Sequence, residues 1–391
     1  MDGVCLIAMK VRASRIKIRA ALLVVPTLVA FLVASPGAAH ESPHDNAVVQ
    51  ASAIEIIGPN SPENRPDAAS DQIYVISTRG IGTRCEPDQM TSGLRCELYD
   101  AGAPYRWSPL SWEALAAELS RPAPTVIYVH GNRVDCGYCK SHGLAMYRSI
   151  ASKRQDDEPL RFIIWSWPSS QIRGQIRDYQ VKAARTKQVG WQLAWAIDQV
   201  PAETPLAIVG YSFGARVTTG ALHLLGGGRL GSLELDRRHA TRPPIRAALV
   251  AAALDASWIR PGGYHGRALE QVDRLLLVNN HLDPAMRFYH LAMETGARPL
   301  GFGGSGGLGP FASRVQAVDV TGAVGRHHAI EEYLASSRRV AQVLEQVAQF
   351  PQPLRDEERA LASEESALPL PMEANQEISS AGDEVEQNVG G

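Results

Sequence analysis

The segment Leu206-Ala-Ile-Val-Gly-Tyr-Ser-Phe-Gly-Ala-Arg216 constrains what this chain can fold into more than any other stretch. An apolar run, Leu206–Val209, leads directly into G-x-S-x-G, formed by Gly210, Tyr211, Ser212, Phe213 and Gly214, and Ala215–Leu225 then reads as a buried helix. Alone the pattern is weak, since on the order of 0.1 matches arise by chance in a chain of this length. The strand–turn–helix setting gives it force. A turn this tight strains the backbone at Ser212 and points its hydroxyl out of the sheet, and larger side chains at the two glycine positions would collide with the flanking strand and helix. The helix start also stabilises negative charge nearby.

On either side, apolar or β-branched runs alternate with helical patterns. The runs are Gln72–Thr78, Val126–Val129, Phe162–Trp165, Leu206–Val209, Ala247–Ala252, Arg274–Val278 and Val315–Val320. The helical stretches are Trp112–Leu119, His142–Ser152, Asp178–Val200, Ala215–Leu225 and Ala329–Ala348. Several strands are apolar on both faces, as in a parallel sheet covered by helices. Strand–helix alternation predicts one α/β domain over 71–350.

The order of polar residues after these strands is informative. Arg274-Leu-Leu-Leu-Val278 runs into Asn279-Asn-His-Leu-Asp283, which places Asp283 to orient a histidine, with Asp255 after the preceding strand as the rival. The last strand leads into Gly325-Arg-His-His328, just before a helix, so His328 is the expected base and His327 the alternative; His281, close to the acid, is a minor candidate. The series Ser212, Asp283, His328 follows the chain order of the α/β-hydrolase fold and not the other common triad orders. Thr125-Val-Ile-Tyr-Val-His-Gly-Asn-Arg133 is a strand leaving through His130-Gly131, and the backbone N–H groups of Asn132 and Phe213 are the expected oxyanion donors. His130 precedes the serine, so it reads as a buried structural residue. Trp165-Ser-Trp-Pro168 could line an acyl pocket or, on the plainer reading, pack its loop. The short connection before Arg274 leaves no room for a large cap domain, and predicts an open site bordered by Ser169–Arg177 and the glycine-rich Gly301–Pro310, with a mobile surface loop apart from the site as the alternative for the latter.

Composition adds compartment and exclusions. Of 391 residues, 20% are charged and the formal net charge is −2, which provides no field to attract nucleic acid or an anionic membrane. Lys10, Arg12, Arg15, Lys17 and Arg19 precede the uncharged run Ala20–Ala34 and a small-residue exit at Ala38-Ala39, the pattern of a signal peptide over 1–39. The run falls short of the roughly 18 residues of a spanning helix; an uncleaved anchor is the competing reading. Export to the periplasm or exterior follows, with no stable membrane span after cleavage. Residues 40–70 read as a disordered linker, and 351–391 as a disordered acidic tail or partner-binding segment. Cys85, Cys96, Cys136 and Cys139 remain after cleavage, and an even count in an exported chain predicts Cys85–Cys96 and Cys136–Cys139 disulfides, with a zinc site as the rival.

Taken together, Tyr74-Val-Ile-Ser-Thr-Arg79, His130-Gly-Asn-Arg-Val-Asp135, Phe162-Ile-Ile-Trp-Ser-Trp-Pro-Ser169, Val209-Gly-Tyr-Ser-Phe-Gly-Ala-Arg216 and Gly325-Arg-His-His328 resemble a family of exported, uncharacterised α/β hydrolases common in planctomycete bacteria. The resemblance covers roughly Gln72 to Ser336 and supports the fold, Ser212, Asp283 and His328, while implying no substrate. The expectation is a serine hydrolase of carboxylic esters or thioesters, needing no metal or cofactor and acting on a small-molecule or acylated substrate. An acyltransferase or amidase on the same residues, and an inactive binding protein of the same fold, are the alternatives.

Overall fold

Alternation along the strands organises the molecule into three layers. In β4 (Thr125–Val129), Ile127 and Val129 join the core on one side of the sheet, and Val126 and Tyr128 the core on the other. The same division runs through β5 (Arg161–Ser166), β6 (Leu206–Tyr211), β7 (Ile245–Val250) and β8 (Val272–Asn279). Both faces of the central strands are apolar and both are covered, as a parallel sheet requires. These features come from a computed structural model, which describes residues 71–350 apart from 104–105, 240–241 and 294–295. The predicted signal peptide, linker and acidic tail lie outside the described residues.

The sheet has nine strands in the order β3-β2-β1-β5-β4-β6-β7-β8-β9. β1 (Gln72–Ser77), β2 (Arg95–Tyr99) and β3 (Trp107–Leu110) form an antiparallel margin, and β1 and β4 to β8 continue in parallel to β9 (Val315–Asp319). β2 and β3 escape a reading of apolar runs. β2 mixes Arg95 and Glu97 with its apolar residues, and Pro109 in β3 is tolerated only because the strand is at the edge.

One layer contains α1 (Pro87–Gly93), α2 (Trp112–Leu119), α4 (Gln175–Asp198) and α5 (Phe213–Leu225), and the other contains α3 (Cys136–Ala151). Every residue of α5 is buried, as expected of a helix lodged between α4 and the sheet. Three one-turn helices, α6 (Pro284–Arg287), α7 (Tyr289–Ala292) and α8 (Leu300–Gly303), fill the connection from β8 to β9, so no large cap domain stands there. α9 (Thr321–Val324) follows β9. The expected helix over Ala329–Ala348 is two, α10 (Ile330–Ser336) and α11 (Arg338–Ala348), because Ser337 is extended and its hydroxyl caps α11 through the Arg339 N–H. Val340, Val343, Leu344 and Val347 then give α11 one apolar face at helical spacing, turned into the second core.

The disulfides expected from the cysteine count are not formed: Cys85, Cys96, Cys136 and Cys139 are all free thiols. Cys85 points its sulfur at the Gln188 carbonyl, and Cys96 is buried on β2. Cys136 and Cys139 share the first turn of α3 but diverge. Cys136 is exposed, while the Cys139 sulfur faces the Cys136 carbonyl and the Ser166 hydroxyl. Burial pushes the Cys85 and Cys96 thiols up to about 12, which suppresses the reactive thiolate. Of these four cysteines, Cys136 alone should react with Ellman's reagent in native protein. All four should react after unfolding without reductant, and peptide mapping of the labelled sites checks this.

Candidate active site

Parallel strands end on the same edge of the sheet, and four of those ends build the site. At the end of β6 the chain turns into α5 through Ser212, whose φ of 53° is rare for a residue with a side chain. Two close contacts enforce the turn. A Cβ on Gly210 would lie 2.7 Å from the Thr218 hydroxyl oxygen and 2.9 Å from the Ala215 Cα, and one on Gly214 would lie 2.0 Å from the Val129 carbonyl oxygen. Only glycine lets α5 begin this close to the end of β4.

Ser212 Oγ lies 3.1 Å from His328 Nε2. His328 Nδ1 is 2.7 Å from Asp283 Oδ2, so Nδ1 carries the proton it donates to the carboxylate and Nε2 is left to accept. Asp283 is fully buried just past β8. Its Oδ2 also accepts from the Tyr333 hydroxyl at 2.9 Å, and its Oδ1 from the Ala285 and Met286 N–H groups at 2.8 and 3.3 Å, where it caps α6. Asp283 is therefore both an N-cap and the partner of an imidazole. His328 is held from behind as well, since the Tyr211 hydroxyl donates to its backbone carbonyl. Burial opposes protonation of His328, but the charge and hydrogen bond of Asp283 outweigh it and raise its pKa above the ordinary 6.5.

The alternatives separate cleanly. His327 is exposed, and Asp255 is buried and forms an isolated bridge with Pro299, while the imidazole of His328 pairs with Asp283. His281 is half-exposed and faces Asp319.

The loop after β4 lies alongside. The register that pairs Val129 with Gly210 brings Gly131 beside Ser212, where an added Cβ would stand 3.0 Å from that of Ser212. The backbone N–H groups of Asn132 and Phe213 donate to no acceptor among the described residues. His130 is a fully buried brace: its Nε2 accepts the Trp167 N–H at 3.2 Å, its Nδ1 lies 2.9 Å from the Gly131 carbonyl, and the Trp167 indole donates to its carbonyl at 2.8 Å. Burial pulls its pKa down to about 3. Trp165 and Trp167 are thus packed inside, on the plainer of the two readings of that motif.

An ionic network that sequence reasoning missed lies under this loop. Asp178, fully buried in the first turn of α4, accepts from Asn132 Nδ2 at 3.1 Å, Arg133 Nε at 2.9 Å, Lys182 Nζ at 2.9 Å and the Ile172 N–H at 3.0 Å. Burial raises its pKa, but the bonds to Lys182 and Arg133 outweigh this and the net shift is downward. Arg133 has a φ of 57°, and its N–H donates to the Ser169 carbonyl at 2.9 Å. The (i, i+4) spacing of Asp178 and Lys182 was visible in the sequence, but a solvated helix face has the same spacing.

A cleft opens beside Ser212 and His328. Its wall differs from the expected one. Ile176 borders it, from the segment anticipated, but the opposite side is α6 and α7 and not the glycine-rich stretch. Gly301 instead packs against the Ala251–Ala252 backbone, where a Cβ would lie 2.2 Å from the Ala252 nitrogen. No group of three His, Cys, Asp or Glu among the described residues could hold a metal ion, and no described helix is long and apolar enough to cross a membrane.

A mostly parallel, helix-covered sheet with a serine on a strained strand–helix turn is the α/β-hydrolase fold. No family model matches the chain, and no curated protein matches it. Among solved structures it is distantly similar to an acetylxylan esterase (14% identity, TM-score 0.31, covering 59% of this chain and 97% of that one). It is similar in the same degree to esterase B from Lactobacillus rhamnosis (13%, 0.33, 78% and 92%) and to carboxyl esterase 2 from Tuber melanosporum (12%, 0.35, 73% and 87%). Likeness this remote assigns no family and no substrate.

Replacing Asp178 by Leu should cost about 3–5 kcal/mol, because Lys182 and Arg133 would keep buried charges without a counter-ion. Urea unfolding of the variant measures the loss.

Proposed function

We propose that this chain is a serine hydrolase that cleaves a carboxylic ester or thioester through an acyl-enzyme intermediate. The observation that carries the reading is the continuous hydrogen-bonded series from Ser212 Oγ through His328 to Asp283, at 3.1 and 2.7 Å, with the hydroxyl on a strained turn at the edge of a cleft. The motifs shared with the exported hydrolase family agree with it.

In this mechanism the Ser212 oxygen attacks the substrate carbonyl carbon while His328 Nε2 takes the hydroxyl proton. Asp283 holds the imidazole in the tautomer that can accept and stabilises the imidazolium that forms. Negative charge builds on the carbonyl oxygen, and the N–H groups of Phe213 and Asn132 receive it. One such donor is worth about 2.7–4 kcal/mol in the transition state. Collapse of the tetrahedral adduct expels the alcohol or thiol, which takes the proton from His328 and leaves an ester on Ser212. Water, deprotonated by His328, then repeats the sequence and releases the acid. Asp178 contributes indirectly. It clamps the Asn132 and Arg133 side chains, so the loop that presents the Asn132 N–H is in place before substrate arrives.

A fluorophosphonate probe should label Ser212 in wild-type protein and leave Ser212→Ala unlabelled; an unlabelled wild type overturns the reading. Asp283→Asn should lower kcat on an activated ester by about 10⁴-fold, through the wrong imidazole tautomer. The pH profile follows from His328. It must be neutral to act, and Asp283 raises its pKa, so kcat/KM should rise with pH through a midpoint above 6.5. Initial rates across a pH series test this, and a midpoint below the ordinary histidine value counts against His328 as the base.

A further inference from the structure

The cleft beside Ser212 has a chemical character that the reaction alone does not require. Phe213, Met286, Phe288, Tyr289, Leu291 and Met293 form much of its lining, and no Asp, Glu, Lys or Arg among the described residues takes part. The polar tip of Tyr289 is already engaged, since Arg216 Nη1 donates to its hydroxyl oxygen at 3.1 Å beneath the cleft. Two of the few large apolar residues exposed on the described surface, Leu291 at 48% and Ile176 at 37%, stand at this cleft. A charged or hydroxylated acyl group would lose its water here and find few partners.

We propose that this cleft is an acyl pocket for an aliphatic chain of medium length, so that the enzyme's substrates are esters of medium-chain fatty acids and not acetates. The inference rests on the serine-hydrolase reading above and deepens it. Ser212, Phe213 and His328 all line the cleft, and the acyl side is assigned on the chemistry of the two half-reactions. The acyl group is the part of the substrate that stays bonded to Ser212 through both half-reactions, and its carbonyl oxygen is the one that the Phe213 N–H would hold. Met286 and Met293 suit a chain without fixed shape, because their unbranched thioethers adjust to irregular contacts. The walls come from α6 and α7, and Asp283 caps α6, so the carboxylate that orients His328 also anchors the chain-binding surface.

Four measurements test this. p-Nitrophenyl acetate, butyrate, octanoate and palmitate give the chain-length profile. Full burial is worth roughly fourfold per methylene, so kcat/KM should rise at least about tenfold from acetate to octanoate. Ethyl octanoate and octyl acetate are isomers with the same apolar content on opposite sides of the ester, and ethyl octanoate should be hydrolysed at least about tenfold faster. Ala285→Phe, which fills the cleft from α6, should reduce the octanoate-to-acetate ratio of kcat/KM at least about tenfold. Leu291→Ser, on the exposed lip where the core is undisturbed, should reduce that ratio roughly fourfold. A flat or acetate-preferring profile, preference for octyl acetate, or an unchanged ratio in Leu291→Ser overturns the proposal, provided that Ser212 still takes the fluorophosphonate label. Failure of wild type to label sinks the hydrolase reading itself, so the two failures are distinguishable.

Discussion

The contact on which the site depends is between a glycine and a carbonyl. Gly214 opens α5 against the Val129 oxygen at the end of β4, with no space for a methyl group between them. That approach fixes where α5 starts, and with it the left-handed backbone at Ser212. It also sets how near the β4 loop comes to the serine, because Gly131 lies against the Ser212 side chain. Strain at a single residue persists only when its surroundings over-determine it. Here a buried helix, two paired strands and two glycines do so.

The side of the site formed by the loop after β4 is held by a different kind of force. β4 ends at Val129, and the loop that follows has no ladder of backbone hydrogen bonds to define it. Two polar anchors take over: His130, wedged against Trp167, and Asp178, which binds Asn132 and Arg133 together. An ion cluster of this sort is poor evidence for stability, because its members pay heavily to leave water. Its value lies in direction. A buried carboxylate with four donors has one arrangement, and the loop inherits it.

How much of this was legible in the sequence depended on whether a residue's role was local. The turn at Ser212 was readable because its steric demands lie within five consecutive residues. Asp283 and His328 were readable because parallel strands place their ends together, so chain order stands in for position. What lay hidden was long-range. Tyr333 reads as one more apolar position on α10, yet its hydroxyl reaches Asp283. Asp178 and Lys182 look like a solvated pair until the β4 loop is folded onto them. The cleft wall was assigned to a glycine-rich stretch on loop composition alone, whereas close packing turns that stretch toward the Ala251–Ala252 backbone and leaves α6 and α7 beside the serine. The cysteines were misjudged for a related reason. Their even number carried the inference, and neighbours in sequence proved to face different environments.

Two histidines leave the sheet edge here, one after β4 and one after β9, and their environments drive them in opposite directions. Enclosure keeps His130 neutral down to about 3, while Asp283 makes His328 easier to protonate. On acidification His328 therefore takes up its proton first. Mild acidification can charge the imidazole facing Ser212 without adding charge to the one that braces the neighbouring loop.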